Sequence, residues 1–324
     1  MARFPLSYLR RRALSLALVW LGISVLAHGL ASLAPGDPAE IVLLRETGEA
    51  PSAEAVRRLR QELRLDAPWP VRYARWLGGA VRGDLGRSYR TREPVLPALL
   101  ARFPATLALA TTALLIALVV ALPLGVLSAM RRDSWWDGTT RVVALVGASV
   151  PSFWLGYLLT LLFAVTLRIL PVAGGGDWAH LVLPALTLSI AAAAPMTRLT
   201  RAAVLDVLAL DHVRTARAKG VPASGLITRH VLRNALNPIV TITAVRFGRL
   251  LGGAAIIETV FAWPGIGRHA VEAIFDRDYP TIQGFVLLTG TTFVILNLLV
   301  DLTYRWLDPR AHPFPGAGSV RVRP

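Results

Sequence analysis

The sequence predicts an all-α polytopic membrane protein with six transmembrane helices, a long extracytoplasmic segment between helices 1 and 2, and a cytoplasmic elbow between helices 4 and 5. Apolar residues make up 54% of the 324 residues and charged residues only 17%. The mean hydropathy is +0.52, which is too apolar for a soluble protein of this length. Six stretches of at least about 20 mostly apolar residues are long enough to cross the hydrocarbon core. The longest polar, basic stretch between two of them is residues 211–241.

The first apolar stretch, residues 13–33, follows the three arginines at positions 10–12. A basic start before an apolar run is also typical of a secretory signal peptide. This run is longer than the apolar part of most signal peptides, and cleavage after Ala34 would place Pro35 beside the scissile bond. We therefore expect an uncleaved first helix, with residues 1–34 forming the cytoplasmic N-terminus and that helix.

Residues 35–102 form the predicted extracytoplasmic segment, called the 35–102 segment below. Ser52 is expected to start an amphipathic helix over residues 52–65. Three aromatic residues follow, Trp69, Tyr73 and Trp76, and such residues commonly lie at the level of the lipid headgroups. Two compatible interpretations stay open: a lid packed on the chain's own membrane domain, or a docking surface for an external partner.

The core domain is predicted over residues 103–306, with apolar stretches at 103–130, 142–167, 181–204, 239–261 and 282–304. The short connections on the same side as the N-terminus carry far more Lys and Arg than those on the other side. The positive-inside rule therefore predicts that both termini are cytoplasmic, with residues 307–324 forming a cytoplasmic tail.

Composition also excludes several classes of function. The chain has no cysteine, which excludes disulfides, thiol catalysis and cysteine metal sites. The net charge of +15 comes from arginines clustered between apolar stretches and not from a continuous basic stripe, which argues against nucleic-acid binding. The sequence lacks a G-x-x-x-x-G-K-[ST] phosphate loop, and its six histidines are scattered. We predict no catalytic residue, no metal and no cofactor bound by this chain.

The stretch 211–241, called the elbow below, contains a break at Gly220 and Pro222 that divides it into two short helices. Asp211 is predicted to cap the first helix, and Gly220 to close it in the left-handed conformation. Asn237-Pro238 is predicted to end the second helix. The expected product is a compact basic surface at the membrane, shaped to contact another protein.

The elbow resembles the "EAA" loop of bacterial ABC importer permeases, in particular the first permease subunit of the peptide/nickel family. The resemblance rests on DHVRTARAKG followed by HVLRNALNP, and extends to AVRGDLG at 80–86, ETVFAWPGIG at 258–267 and LDPR at 307–310. The general motif has Glu-Ala-Ala before a glycine. This chain has Arg214, Thr215 and Ala216 before Gly220, as is usual in the peptide branch.

The resemblance implies a bacterial inner-membrane permease that forms half of a translocation path. It implies four partners: a homologous second permease, two ATP-binding subunits that bind ATP and Mg, and an extracytoplasmic solute-binding protein. Peptides are the expected cargo, although nickel chelates, glutathione and oligosaccharides occur in the same family. The cytoplasmic loop 205–238 would contact the ATPase through these residues: Asp211, Arg214, Thr215, Ala216, Arg217, Lys219 and Gly220.

Three charged residues in the fifth apolar stretch are candidates for the translocation path. Arg246 and Arg249 are three apart and share a helix face, and charges at this depth are costly unless they face a partner or water. They are expected to attract an anionic group of the cargo, or alternatively to serve only as structural charges. Glu258, which matches a glutamate of the family, is expected to act as a gate or helix-end contact, or as a simple capping pair.

A self-sufficient secondary transporter or a polytopic membrane enzyme is the alternative. A secondary transporter needs coupling-ion carboxylates deep in several spans, and only Glu258 and Asp301 are candidates, both near helix ends. An enzyme needs a cluster of ionisable residues at one membrane face, and the sequence does not indicate one.

Overall fold

The structure, a computed structural model, describes residues 6–33 and 36–307, so the predicted tail beyond 307 lies outside the described residues. The described part of the chain is built from α-helices, with two π-helical segments, Thr160–Thr166 and Leu226–Val231. The helices are α1 (Leu6–Leu33), α2 (Pro38–Thr47), α3 (Ala53–Glu62), α4 (Trp69–Val81), α5 (Val95–Met130), α6 (Trp135–Ser149), α7 (Ser152–Leu159), α8 (Trp178–Leu208), α9 (Asp211–Ala218), α10 (Ala223–Gly225), α11 (Leu232–Val260), α12 (Ile266–Phe275) and α13 (Tyr279–Leu307).

Within the described ranges, three helices are long and apolar enough to cross a membrane: Val95–Met130, Trp178–Leu208 and Tyr279–Leu299. Counting each of two bent helix pairs as one span raises the number to five, and α1 adds a shorter apolar helix, Leu14–Gly29. The all-α polytopic class is confirmed, whereas the count of six spans stays a prediction.

The predicted third span is broken into two helices. The axes of Trp135–Ser149 and Ser152–Thr166 differ by 100°. The break falls at Val150 and Pro151, where the backbone of Val150 is extended at φ −77° and ψ 126°. Proline disfavours the helical conformation of the residue before it and lacks the N–H that would continue the backbone hydrogen bonds of the helix. A continuous apolar stretch therefore produces a bent span.

The core of the bundle forms where α5 packs against α8. Small residues of α5 at helical spacing, Ala110, Ala113, Ala117 and Ala121, are fully buried in this core. Further along, a Cβ on Gly125 would lie 2.6 Å from a side-chain atom of α8. Small side chains let the two helix backbones approach closely, which is how helices commonly associate in a membrane.

The prediction that Asn237-Pro238 ends the second helix of the elbow is wrong, because α11 continues through Pro238 to Val260. Proline removes one backbone hydrogen bond, which a helix in a packed membrane domain tolerates. Ala235 and Ile239, on either side of it, are 0% and 3% exposed and belong to the apolar cluster at this end of the bundle. Packing therefore holds the helix across the proline.

The 35–102 segment packs on the ends of the first and last long helices. Ser52 caps α3 as predicted, accepting a hydrogen bond from the backbone N–H of Ala55. The aromatic rings of α4 surround His28 of α1, with the Trp76 ring centroid 5.5 Å from the imidazole centroid. Asp278, just before α13, accepts hydrogen bonds from the Tyr89 N–H at 2.9 Å and the Ser88 hydroxyl at 2.5 Å. These contacts fit the lid interpretation, and docking of an external partner stays a prediction.

Candidate functional site: the elbow and the buried polar contacts

The first helix of the elbow, α9, has one buried face and one exposed face. Val213 and Ala216, three residues apart, are 1% and 8% exposed. Arg217, Ala218 and Lys219 are exposed. Helix α9 thus exposes a basic face and packs its apolar face against the bundle. Ala216 belongs to the packed face.

Asp211 does not cap α9, so this prediction is wrong. The N-cap is Leu210, which is extended at φ −74° and ψ 145° and offers no side-chain hydrogen bond. The helix therefore starts one residue earlier than predicted, and Asp211 occupies its first position. The Asp211 carboxylate stays exposed and approaches Nη1 of Arg214 at 3.7 Å, and its charge favours the positive end of the helix dipole.

Gly220 closes α9 in the left-handed conformation, as predicted, with φ at +78°. The N–H of Gly220 donates to the carbonyl of Arg217 at 3.0 Å, and the N–H of Val221 donates to the carbonyl of Ala216 at 3.2 Å. This pair of bonds is the Schellman motif. A Cβ on Gly220 would meet nothing within 4 Å, so the backbone conformation and not space selects glycine here.

The elbow is joined to the long helices through one apolar cluster. Val213 and Ala216 of α9 pack in it with Val204 and Val207 of α8 and with Val231 of the π-helical segment. An apolar core is close-packed and transmits strain. The cluster thus connects α9 to the ends of α8 and α11 by direct packing.

A buried ion pair beside this cluster was not predicted. Asp137, near the start of α6, is 0% exposed and accepts two hydrogen bonds from Arg201 of α8, from Nε and Nη2, both at 2.7 Å. Ser128 of α5 donates to the same carboxylate at 2.5 Å. The pair thus ties three helices together at the elbow end. Ser134-x-x-Asp137 was a visible helix-start signal, but no local pattern links Asp137 to Arg201.

Arg246 and Arg249 lie on α11, and Arg198 of α8 faces the same region. Arg249 and Arg198 are both exposed and lie close enough to repel the Arg246 guanidinium electrostatically. The buried Nε of Arg246 has no hydrogen-bond partner among the residues that the structure describes. The structure therefore gathers three positive charges on one face, of which the sequence predicted two. Their role in the path stays a prediction.

Glu258 lies at the opposite end of α11 and is 0% exposed. Its carboxylate accepts hydrogen bonds from the Thr106 hydroxyl at 2.6 Å and from the backbone N–H of Arg268 at 2.9 Å. The N–H of Gly267 also donates to it. The N-cap residue Gly265 provides no side chain for α12, so Glu258 supplies the missing acceptor from another helix.

Two glycines make room for this carboxylate. A Cβ on Gly265 would lie 2.3 Å from the carboxyl carbon of Glu258, and one on Gly267 would lie 2.6 Å from the backbone of Ala255. The glycines of the PGIG sequence are therefore needed because Glu258 and the backbone of α11 approach this turn closely. The enclosed geometry is that of a helix-end contact, one of the two interpretations of Glu258, while a gating role stays a prediction.

The fold and the site define an all-α membrane protein that presents a basic elbow packed against the ends of its long helices. The chain belongs to the family of binding-protein-dependent transport system inner membrane components, whose family model matches residues 121–313. The model for the N-terminal part of such membrane components matches residues 5–110. The chain is thus an ABC importer permease of the bacterial inner membrane, and the alternatives of secondary transporter and membrane enzyme are set aside.

Two similar proteins come from Escherichia coli (strain K12). The chain is 40% identical over 304 residues to the glutathione transport system permease protein GsiC, covering 94% of this chain and 98% of the relative. It is 41% identical over 335 residues to the probable D,D-dipeptide transport system permease protein DdpB, covering 94% and 97%.

Solved structures support the fold. An inward-facing conformation of the MetNI methionine ABC transporter aligns with a TM-score of 0.57 at 21% identity, covering 67% of this chain and 99% of that chain. An amino acid ABC transporter crystallised with histidines aligns with a TM-score of 0.51 at 17% identity, covering 65% and 94%.

Proposed function

We propose that this permease pairs with a homologous second permease and takes up peptides delivered by an extracytoplasmic solute-binding protein. Two separate ATP-binding subunits, which bind ATP and Mg, supply the energy, and both termini of the permease are cytoplasmic. The observation that carries the proposal is the two-faced elbow helix α9. Its exposed face offers Arg214, Arg217 and Lys219 to a partner, while Val213 and Ala216 anchor it in the bundle.

The coupling follows from this geometry. When ATP closes the ATPases, each pushes on the α9 helix docked against it. The Schellman turn at Gly220 fixes the angle between α9 and the following helix, so the two move together. Because α9 shares an apolar cluster with α8, the motion reaches the spans and drives alternating access.

The chain contains no cysteine, so a single introduced thiol gives a unique cross-linking site. In the assembled importer, Ala218→Cys carrying a thiol-attached photocrosslinker is expected to label the ATP-binding subunit, because Ala218 is exposed on α9. The matched control is Ala216→Cys on the same helix, whose side chain is 8% exposed and should give little product. Labelling of lipid alone from Ala218→Cys, or equal labelling from both positions, would contradict the docking of α9.

The cargo is proposed to carry a free carboxylate that meets the positive face formed by Arg198, Arg246 and Arg249. The two relatives are named for the transport of glutathione and of D,D-dipeptides, and both kinds of compound carry a free carboxylate. The three guanidiniums have no ion pair with an acidic residue in the described part of the chain, so they are available to an anion.

Arg249→Glu is therefore expected to reduce uptake of a dipeptide with a free C-terminus by at least about tenfold, because it removes a charge-assisted hydrogen bond and adds a negative charge that repels the carboxylate. Uptake is measured in proteoliposomes that contain the complete importer. The control is the same dipeptide with an amidated C-terminus, whose uptake should change much less. An equal fall for both peptides would show that Arg249 has a structural role only.

A further inference from the structure

A cavity open to solvent lies at the end of the bundle opposite the elbow. It has a volume of about 900 Å³ and is lined by the 35–102 segment, by His28 of α1 and by the start of α13. Its lining includes no residue of α11. It is thus separate from the face that carries Arg246 and Arg249, and neither the elbow nor the proposed path makes use of it.

The walls of this cavity are strongly basic. Six arginines line it, against three acidic residues. Two of these acids already have partners, since Asp37 accepts from Arg60 at 2.7 Å and Asp84 accepts from the backbone N–H of Gly86 at 2.9 Å. Arg64 and Arg75 make no ion pair with any residue that the structure describes. Both side chains are exposed and line this open cavity, so the walls carry positive charge without a counter-charge.

Two residues that line the same cavity carry polar groups without partners. Tyr279, at the start of α13, is only 7% exposed, and its buried hydroxyl has no hydrogen-bond partner in the described part of the protein. The same holds for Nε1 of Trp76 on α4. A buried hydrogen-bonding group without a partner destabilises a fold, so such groups usually bind water or a ligand.

Tyr89 also lines the cavity. Its burial, together with the nearby carboxylate of Asp278, raises the pKa of the Tyr89 phenol to about 12. The hydroxyl is neutral at physiological pH, as an ordinary tyrosine is, and adds no negative charge to the arginine-lined space. The cavity thus combines guanidinium groups with neutral donors, the set of groups that proteins use to hold carboxylates and phosphates.

We propose that this cavity is a binding site for the oxyanion group, a carboxylate or a phosphate, of a small ligand. Arg64 and Arg75 provide the charge, and Tyr279 and Trp76 provide hydrogen bonds. The ligand has two possible sources, a molecule dissolved on this side of the membrane or the headgroup of an anionic lipid beside α1. Because the site needs neither the ATPases nor the elbow, it can be tested on the permease alone.

The test uses the full chain in nanodiscs of phosphatidylcholine, with binding of inorganic phosphate and of the dipeptide alanyl-alanine measured by calorimetry. Arg75→Gln and Tyr279→Phe are each expected to weaken binding by about tenfold. Tyr279→Phe removes a hydroxyl without a partner, so folding should be preserved. The matched control is Arg57→Gln, which removes the same charge from an exposed position of α3 outside the cavity and should leave binding unchanged.

A second arm uses nanodiscs that contain phosphatidylglycerol. If the lipid is the source, native mass spectrometry should find phosphatidylglycerol retained by the wild type and lost from Arg75→Gln, and this lipid should compete with phosphate. If the source is a solute, phosphate or dipeptide should bind equally in both kinds of disc. The proposal is overturned if the wild type binds none of the three probes, or if Arg57→Gln weakens binding as much as Arg75→Gln does.

Discussion

Replacing Asp137 with alanine is expected to destabilise the folded permease by about 3 kcal/mol, the lower end of the range for breaking a buried ion pair. The Asp137 side chain is fully buried, whereas 20% of the Arg201 side chain is exposed. In the variant, water can therefore partly solvate the Arg201 guanidinium that has lost its partner. The substitution also leaves the buried Ser128 hydroxyl without its acceptor. Unfolding in mixed micelles with increasing SDS measures the loss of stability.

Arg141→Gln provides the matched comparison for Asp137. Arg141 approaches the same carboxylate at 3.8 Å, but 56% of its side chain is exposed. An exposed partner contributes less than about 1 kcal/mol, so this variant should unfold close to the wild type. Equal destabilisation by Arg141→Gln and Asp137→Ala would mean that net charge at this end of the bundle, and not the buried bidentate pair, sets the stability.

Replacing Glu258 with alanine is expected to cost about 3 kcal/mol as well, because three hydrogen bonds to a buried carboxylate are lost together. The Thr106 hydroxyl and the N–H groups of Gly267 and Arg268 would lose their acceptor. The start of α12 would also lose the negative charge at its positive end. The same SDS titration measures the effect.

The comparison for Glu258 is Glu272→Gln on α12. Glu272 accepts from Arg268 at 2.9 Å, but 40% of its side chain is exposed, so its loss should cost less than about 1 kcal/mol. Glu258→Gln distinguishes a capping role of Glu258 from a gating role, because glutamine keeps the side-chain shape and one strong hydrogen-bond acceptor. Full stability with abolished transport would assign Glu258 to gating, whereas stability and transport falling in parallel would assign it to the cap of α12.

The parts of the fold that depend on local sequence were predictable. The left-handed turn at Gly220 and the cap at Ser52 follow from residues only a few positions apart. The predicted helix end at Pro238 was wrong because tertiary packing overrides the tendency of proline to end an isolated helix. The start of α9 was misplaced because Leu210, with no capping side chain, takes the position for which Asp211 is the better candidate by type.

The buried contacts of the candidate site could not be predicted from the sequence. Asp137 pairs with a residue 64 positions away, and Glu258 bonds to Thr106 across 152 positions. Nothing in a single sequence links such partners, because the link is made by the packing of helices. The sequence does not link Arg198 to Arg246 and Arg249 for the same reason, since α8 and α11 are brought together only in the fold.

The helix that continues past Pro238 is bent, since the axes of Pro238–Gly252 and Ala254–Val260 differ by 47°. Its first part lies beside α9, and its second part carries the Glu258 carboxylate that accepts hydrogen bonds from the start of α12. A tilt of α11 therefore moves residues at both ends of the bundle together. Opening on one side of the bilayer and closing on the other can then be linked through a single bent helix, with no relay through loops.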